Sequence, residues 1–260
     1  MIPPDHPRYR SLVTRERLAA AAREGVLSLE GLTAHGRGEA FDYLIGERTT
    51  QSALLAERTA AALILSARHP VISVNGNTAA LAAEEIAALQ EATGALVEVN
   101  LFHRTEERVR LIENLLTRAG VDVFSGPAER LLPLSHDRAW CRREGMFLAD
   151  LILVPLEDGD RCEALMKMNK TVIAIDLNPL SRTARAASLT IVDELTRALP
   201  GITRAAQELD ASESARLIAR LDNHYLLAEA IREMTTRLAA CSGSPSTVPA
   251  PYPTSSDRMP

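Results

Sequence analysis

The sequence predicts an α/β fold in which a mostly parallel open sheet is flanked by helices. Between residues 70 and 199, short apolar runs alternate with segments of helical period, as expected for strands joined by crossover helices. Some of these runs, such as residues 151–154, are unbroken and apolar, which is typical of strands buried on both faces. Further helical segments precede and follow this region.

Composition limits the possible functions. The chain has 260 residues, 46% of them hydrophobic, and a net charge of -5, which fits a globular protein with a large core. A general nucleic-acid binder would need a basic face, so we expect no nucleic-acid partner. The cysteines Cys141, Cys162 and Cys241 are scattered without a CxxC pair. They predict neither a disulfide framework nor a zinc site, and they favour a reducing cytoplasm.

The ends of the sequence predict the domain organisation. The first ten residues are polar and proline-rich rather than a signal peptide, and no apolar run reaches the roughly 20 residues that span a membrane. We therefore expect a cytoplasmic protein without a membrane partner. Residues 1–240 are predicted to form one domain, and the Ser- and Pro-rich residues 241–260 a disordered tail.

Three helices are predicted before the sheet. Thr14 is expected to cap a helix over residues 18–24 that Gly25 ends, and a second short helix is expected from Ser28. Residues 49–66 are rich in alanine and have one apolar face, which predicts a long helix.

Between the second and third of these helices, Arg37 stands between Gly36 and Gly38. We interpret residues 35–44 as a loop in which the glycines let the backbone approach a ligand. Arg37 would then enter a site, oriented by Glu39 or Asp42. The alternative is that Arg37 forms a surface ion pair.

The first strand is predicted at residues 71–74, followed by Asn75-Gly76-Asn77-Thr78 and a helix over 79–91. Small amides and a glycine at a strand end can bind a phosphate or carboxylate through backbone N–H groups. The alternative is an ordinary turn with Asn77 or Thr78 as the N-cap. The segment matches neither a GxGxxG nor a Walker motif.

The second strand, residues 96–99, is followed by Asn100, His103 and Arg104, and Thr105 is expected to cap a helix to residue 119. His103 and Arg104 suit an anionic ligand. The helix itself begins with charged residues that we interpret as a solvated face, namely Glu106, Glu107, Arg108 and Arg110.

A third strand is predicted at residues 121–124 and a short helix at 137–144, with Trp140 in the core or an interface. The fourth strand, residues 151–154, precedes the carboxylates Glu157, Asp158 and Asp160. Such carboxylates could ligate Mg²⁺. Alternatively, Asp160 caps a helix over residues 161–168.

The fifth strand, residues 171–175, ends at Asp176, and a helix is expected to begin at Ser181, Arg182 and Thr183. Open parallel sheets bind ligands beyond the carboxyl ends of their strands. Asp176 could accept hydrogen bonds from a ribose, and Arg182 could bind a phosphate. An ordinary strand–turn–helix is the alternative.

A sixth strand at residues 189–192 leads into a helix over 194–199, and residues 202–240 are predicted to be helical with Asp210 as a cap. An apolar stripe in this last region could cover the sheet or pair with a second subunit. The stripe consists of Leu217, Ile218, Leu221, Tyr225, Ala228 and Ile231.

Five blocks of this sequence, at residues 35–44, 70–77, 98–108, 154–161 and 173–183, resemble archaeal 4-phosphopantoate–β-alanine ligases, also called phosphopantothenate synthetases. The likeness extends over roughly residues 2–240. It implies a Rossmann-like homodimer that acts in coenzyme A biosynthesis. ATP would activate the carboxylate of 4-phosphopantoate as an acyl-adenylate with release of pyrophosphate, and the amine of β-alanine would then displace AMP.

The resemblance also implies roles for individual residues. Contacts to ATP are expected at Arg15, Arg37, Asp176, Leu177, Asn178, Arg182, Thr183, Glu194 and Leu195. Similar sequences often have Asn in place of Glu194, which favours a backbone contact there. For 4-phosphopantoate we expect Asn75, Asn77, His103 and Arg104. Arg37, His103 and Lys167 are the candidate catalytic residues, and Asp158 is the candidate Mg²⁺ ligand.

Two other functions stay open on the residues alone. A nicotinamide-dependent oxidoreductase could be built on the same sheet, although the missing GxGxxG argues against it. A nucleotide-binding protein without turnover would need the same strand-end residues.

Overall fold

The computed structural model describes residues 2, 3, 5, 6 and 8–241, and its centre is a five-stranded parallel sheet. The sheet consists of β1 (Pro70–Val74), β2 (Leu96–Val99), β5 (Leu151–Pro155), β6 (Thr171–Ile175) and β7 (Leu189–Ile191). A separate antiparallel pair joins β3 (Glu129–Arg130) to β4 (Trp140–Cys141). The predicted α/β class is confirmed.

Helices flank the sheet and also form both ends of the domain. They are α1 (Tyr9–Arg23), α2 (Leu29–Ile45), α3 (Gln51–Ser66), α4 (Gly76–Thr93), α5 (Glu106–Arg118), α6 (Gly159–Lys167), α7 (Arg182–Ala186), α8 (Leu195–Glu208), α9 (Ala211–Ala219) and α10 (Asn223–Cys241). Polar side chains accept a hydrogen bond from a backbone N–H in the first turn of eight of these described helices. The predicted caps Thr105 and Asp210 are among these.

The sheet order β2-β1-β5-β6-β7 places the reversal of strand order between β1 and β5. The chain first runs outward from β1 to β2 and then returns to the other side of β1. Asn75, just after β1, bridges this point, because its Nδ2 donates to the carbonyl oxygens of Pro155 and Leu156, each at 3.1 Å. Such a reversal opens a crevice at the carboxyl ends of the strands, where ligands bind in open sheets.

The core lies on both faces of the sheet, and strand residues such as Ile72, Val97 and Ile173 are fully buried. Between α3 and α8 the core also contains Glu57, which is 3% exposed. A Cβ at Gly201 would lie 2.0 Å from Glu57 Oε2, so α8 approaches the carboxyl only because it has a glycine there. Burial, reinforced by the charge of Asp193, raises the pKa of Glu57 to about 8.

The N-terminal helices differ from the prediction. Helix α1 begins at Tyr9, ahead of Thr14, because nothing between the two residues breaks a helix. Residues 35–44 are not a loop, since they lie inside α2. Two glycines cost a helix roughly 1 kcal/mol each, and here the Ser28 cap and the burial of Ile45 hold the helix in place. Helix α4 is capped by Asn75 rather than by Asn77 or Thr78.

Residues 121–147 depart furthest from the prediction. Val123 makes a single bridge to Val97 instead of a strand. The expected helix over 137–144 is a 3₁₀ turn, Asp137–Ala139, followed by β4 and a π-helical turn, Arg143–Phe147. Trp140 is 37% exposed and therefore not a core residue.

The cause is Glu98, a fully buried carboxylate in β2. It accepts hydrogen bonds from the backbone N–H groups of Arg142 (2.9 Å) and Met146 (2.8 Å). Gly145 passes so close that a Cβ would lie 2.1 Å from Glu98 Oε2. A buried charge needs such donors, so this long-range contact overrides the helical pattern of the segment.

The remaining boundaries differ less. Asp160 lies in the first turn of α6 and does not cap it, because the helix begins at Gly159. Helix α8 extends past the predicted end to Glu208. Of the predicted apolar stripe, Tyr225 is 52% exposed, and α10 buries a neighbouring set: Leu226, Leu227, Ala230 and Met234.

Apart from Cys241, the predicted tail lies outside the described residues. Over the part of the chain that the structure describes, no helix combines the length and apolar character that crossing a membrane requires.

Candidate active site

One groove with three connected lobes follows the carboxyl ends of the strands. The apolar lobe is lined by Leu81, Leu156, Leu177 and Leu195, together with His35, Glu194 and other charged residues such as Glu39, Asp42 and Arg197. The central lobe is lined chiefly by Arg37, Asn77, Asp158, Asp176, Asn178 and Arg182. The arginine lobe is lined by Arg37, Arg108 and Arg138, by Asn77 and His103, and by the acids Glu30, Glu157 and Asp158, among others. The central and arginine lobes, of about 390 and 380 Å³, have the size of ligand pockets.

The lobes share walls, so a ligand can extend from one into the next. His35 and Leu177 line both the apolar and the central lobe. Arg37, Asn77 and Asp158 line both the central and the arginine lobe. We call these last three residues the junction. The structure thus brings together most of the residues that the sequence predicted for the site.

The turn after β6 organises the central lobe through local hydrogen bonds. The carboxylate of Asp176 accepts from the backbone N–H of Asn178 at 2.9 Å and from the Ser181 hydroxyl. Burial raises the pKa of Asp176. Thr183 is buried, and its hydroxyl donates to the carbonyl of Glu157 at 2.9 Å. Its side chain is therefore committed to the protein.

Arg182 faces the central lobe from a position that is 64% exposed. It pairs with Asp160 at 2.7 Å and with Glu163 at 2.9 Å. Helices α4, α6 and α7 all begin along this lobe, and free N–H groups with the helix dipole attract anions. A Cβ at Gly159 would lie 2.6 Å from Arg182 Cβ, so the starts of α6 and α7 come together because the first residue of α6 is glycine.

Arg37 occupies the junction without a partner. It is exposed on α2 and makes no hydrogen bond or ion pair with any described residue. The two acids expected to orient it are engaged elsewhere, since Glu39 pairs with Arg15 at 2.8 Å and Asp42 with Arg197 at 2.5 Å. The guanidinium of Arg37 is therefore free to meet a ligand.

Arg108 belongs to the arginine lobe, so its assignment to a solvated helix face is wrong. Its Nη1 donates to the carbonyl of His103 at 2.7 Å, and its Nη2 donates to that of Val26 at 3.4 Å. The Thr105 cap starts α5 so that Arg108 turns inward under the loop after β2. Burial lowers the pKa of Arg108.

Arg138 also lines this lobe, and sequence reasoning missed it because residues 137–144 were predicted as a helix. It is 8% exposed, pairs with Glu157 and lies 5.5 Å from the centre of the Phe102 ring. Burial, together with the nearby charge of Arg161, lowers the pKa of Arg138 to about 9.

Glu157 turns inward between two arginines. The preceding residue, Leu156, has a left-handed backbone conformation with φ 52°, which is uncommon for a leucine and typical of functional sites. Besides pairing with Arg138, Glu157 lies 3.7 Å from the fully buried Arg161. The signal that could have revealed part of this cluster is Glu98, a charged residue within the apolar strand at residues 96–99.

Two of the three predicted metal-binding carboxylates lie where they could ligate a metal ion. Asp158, Asp160 and His136 have potential ligand atoms within 4.8 Å of one another, although Asp158 lies 3.7 Å from Arg138 Nε and Asp160 pairs with Arg182 at 2.7 Å. The third carboxylate, Glu157, is buried between Arg138 and Arg161. Carboxylates suit Mg²⁺, which is usually held by one or two of them together with substrate phosphates and waters. Asp158 and Asp160 therefore fit a magnesium ion that accompanies a phosphate chain.

Comparison with known proteins agrees with this geometry. The model of the phosphopantothenate/pantothenate synthetase family matches residues 52–237. The chain belongs to this family. The resemblance predicted from the five sequence blocks is thereby confirmed.

Three curated relatives, each named 4-phosphopantoate–β-alanine ligase, match nearly their whole length. The one from Methanospirillum hungatei is 58% identical over 238 residues, or 92% of this chain and 98% of the relative. That from Methanosarcina mazei is 54% identical, covering 91% and 95%. That from Thermococcus kodakarensis is 47% identical, covering 92% and 95%.

Some predicted site residues of this synthetase-family chain lie apart from the groove. The Arg104 side chain lines a neighbouring cavity and pairs with Glu106 at 3.0 Å. Lys167 is the last residue of α6. Because that helix begins at the groove and is roughly 12 Å long, Lys167 lies towards the opposite edge of the sheet. Among the described cavities it lines none of the three lobes, and its place near the reacting carboxylate stays a prediction.

Other predicted residues contribute through the fold. The Asn75 side chain caps α4 and bridges β1 to β5, so it shapes the groove. Arg15, on α1, lies beside the apolar lobe through its ion pair with Glu39. Glu194 caps α8 by accepting from the Thr196 N–H at 2.8 Å, and burial raises its pKa.

Proposed function

We propose that the protein is an ATP-dependent 4-phosphopantoate–β-alanine ligase of coenzyme A biosynthesis. The observation that carries the proposal is the groove itself, in which two cation-lined lobes meet at the junction of Arg37, Asn77 and Asp158. A ligase of this kind must hold two anionic molecules end to end, with their reacting groups in contact. The names of the close relatives support the same reaction.

The nucleotide fits the apolar and central lobes. The adenine would lie against Leu177 and Leu195, and Asp176 would accept hydrogen bonds from the ribose. The phosphates would follow the starts of α4 and α6 towards Arg182 and Arg37. Asp158 would hold Mg²⁺, which neutralises phosphate charge when bound.

The reaction then takes place at the junction. A carboxylate oxygen of 4-phosphopantoate attacks the α-phosphorus of ATP, the bond to the bridging oxygen of the β-phosphate breaks, and pyrophosphate leaves with that electron pair. The amine of β-alanine attacks the carbonyl carbon of the acyl-adenylate and loses a proton, and AMP leaves. No covalent enzyme nucleophile is needed.

The chain's own residues supply charge and position. Arg37 has no partner among the described residues at the junction, where it would stabilise negative charge that develops on the α-phosphate. Asn77 Oδ1 is buried and has no hydrogen-bond partner within the described part of the chain, so the amide can orient a substrate group. His103 is exposed at the wall of the arginine lobe and would meet 4-phosphopantoate there.

The test is product analysis with the purified full chain, ATP, Mg²⁺, 4-phosphopantoate and β-alanine. We expect AMP, pyrophosphate and 4′-phosphopantothenate, with formation of the amide dependent on β-alanine. ADP and inorganic phosphate would contradict the adenylate. ATP binding without turnover would favour a binding protein, and saturable NADH binding in a fluorescence titration would favour an oxidoreductase.

We further propose a cytoplasmic homodimer. All three cysteines are free thiols, which suits a reducing compartment. Apolar side chains border an exposed groove between α3, α9 and α10, among them Leu55, Leu217 and Tyr225. Light scattering coupled to size-exclusion chromatography is expected to give the mass of a dimer, and Tyr225→Glu is expected to shift the mass towards that of a monomer.

A further inference from the structure

The direction in which the acid substrate lies follows from the groove and rests on the proposed function. Its reacting carboxylate must meet the α-phosphate, and the nucleotide fits the central lobe, so the carboxylate lies at the junction. Beyond the junction the groove continues only into the arginine lobe among the described cavities that share its walls. The other anionic end of the substrate, its phosphate, therefore extends into that lobe.

The arginine lobe has unused donors for such a phosphate. Arg138 uses only Nη1 for a hydrogen bond within the described chain, and its Nε makes none, although it lies 3.7 Å from Asp158 Oδ2. Arg108 Nε likewise has none. Arg138 is paired with Glu157, which it shares with Arg161, and with Asp158. Its Nη2 makes no hydrogen bond to the described residues, so it can donate to a bound phosphate.

The guanidinium of Arg138 is also held in place before a ligand arrives. Phe102 packs against one side of it, and Glu157, 2% exposed, fixes Nη1. Glu157 is in turn held by Arg161 and by the left-handed turn at Leu156. A donor that is already ordered loses little side-chain entropy on binding.

We propose that Arg138, assisted by Arg108, binds the phosphate of 4-phosphopantoate and makes the enzyme reject the unphosphorylated acid. Glu157 and Arg161 are positioning residues that keep Arg138 aligned towards the lobe. A site built to pair with a charged group discriminates strongly against a molecule that lacks it, because the buried charges are then left unpaired.

The test compares two variants with matched controls. Arg138→Gln and Arg108→Ala are expected to raise the KM for 4-phosphopantoate by about 10- to 100-fold, the loss typical of a charged hydrogen bond. The KM for ATP is expected to stay within about twofold, since ATP lies in the other lobes. The preference in kcat/KM for 4-phosphopantoate over pantoate is expected to fall by the same factor as the KM rises.

Two arginines serve as controls. Arg142, also buried, bonds to Glu113 at 2.8 Å and lines the neighbouring cavity, so Arg142→Gln is expected to keep the wild-type preference. Arg110 lies on α5 and lines the same cavity, which makes Arg110→Ala the control for Arg108→Ala. An unchanged preference in both test variants, or an equal rise in the KM for ATP, would overturn the proposal.

The role of Glu157 in positioning Arg138 can be measured separately. Glu157→Gln is expected to raise the KM for 4-phosphopantoate while kcat stays near wild type, and Glu157→Asp to restore part of the loss. If Arg138→Gln fails to fold, Arg138→Lys takes its place, since lysine keeps the positive charge but lacks the planar guanidinium. It is expected to weaken the preference for 4-phosphopantoate less than a complete loss of the charge would. A Glu157→Gln enzyme that loses kcat alone would remove the positioning role.

Failure of the proposed function is distinguishable from failure of this inference. A wild-type enzyme that forms no 4′-phosphopantothenate would contradict the ligase. Calorimetric titration with 4-phosphopantoate would still decide the inference, because binding is expected for wild type and loss of binding for Arg138→Gln. Equal affinity of the two proteins would contradict it.

Discussion

The central and arginine lobes both present arginines to an anion, but they hold them in different ways. In the central lobe Arg182 is 64% exposed and its charge is already matched by Asp160 and Glu163. In the arginine lobe Arg138 is 8% exposed, shares Glu157 with Arg161 and lies 3.7 Å from Asp158 through its Nε. An exposed, paired arginine gains little from a new partner because water screens it, whereas a buried one, whose Nη2 makes no hydrogen bond to the described residues, gains more.

This difference suggests a division of labour. On the proposed assignment, the central lobe would hold the nucleotide through many weak contacts, including backbone N–H groups at helix starts, and could release AMP and pyrophosphate. The arginine lobe would use a few rigid contacts and would set which acid is accepted. The four predictions below test the comparison, from the largest expected effect to the smallest.

The largest effect is expected on stability, from Glu157→Ala. The change leaves Arg138 and Arg161 buried without their shared acid, and breaking a buried pair in this way costs roughly 3–5 kcal/mol. Urea denaturation followed by circular dichroism measures it. The matched change in the central lobe, Glu163→Ala, removes an exposed partner of Arg182 and is expected to leave the midpoint unchanged. Equal losses would show that the two lobes do not differ.

The next effect is expected on activity, from Arg37→Ala at the junction. Because Arg37 has no partner in the described structure, its loss should hardly change stability. A charged hydrogen bond to a phosphate contributes about 1.5–3 kcal/mol, so kcat/KM should fall by roughly 10- to 150-fold. Steady-state kinetics with thermal melting checks both. Arg17→Ala, an exposed arginine on α1, serves as the control, and full turnover by Arg37→Ala would remove Arg37 from the site.

A smaller effect is expected from Arg182→Ala. Because Arg182 must leave Asp160 and Glu163 to bind a phosphate, we expect its loss to raise the KM for ATP by only about three- to tenfold. The KM for 4-phosphopantoate should not change. Measuring both KM values at low and high salt adds a check, because salt screens exposed charges and the rise in the KM for ATP should be smaller at high salt. If Arg182→Ala instead raises the KM for 4-phosphopantoate, the acid substrate lies in the central lobe and the ligands assigned to the two lobes must be exchanged.

The smallest effect concerns pH. Burial raises the pKa of Asp176 above its ordinary value of 3.8, so the carboxylate takes up a proton as the pH falls through the raised pKa. Protonation weakens it as an acceptor for ribose hydroxyls, and the affinity for ATP is expected to fall on the acid side by up to about tenfold. Asp176→Asn cannot titrate and should lack this component. An identical acid profile in the two proteins would contradict the ribose contact.

The strand ends show how much of the site could be read from residues alone. Asp176, Asn77 and Asp158 each follow an apolar run directly, and parallel strands bring their carboxyl ends to one edge. Their convergence could therefore be predicted from order and spacing. Arg37 lines the groove, but not for the reason expected, because its glycines lie inside a helix. Arg104 was assigned to the substrate although its side chain turns to the adjacent cavity.

By itself, the sequence determined the alternation of strands and helices, the position of several caps and the family of the chain, since these depend on neighbouring residues and on long shared blocks. Only the tertiary structure decided that Arg138 and Arg108 join the groove and that Lys167 lies away from it. The reason is that Glu98, Glu157 and Arg161 are buried charges whose partners are distant along the chain. A buried charge must find its partner wherever the fold provides one, and no local pattern records that partner.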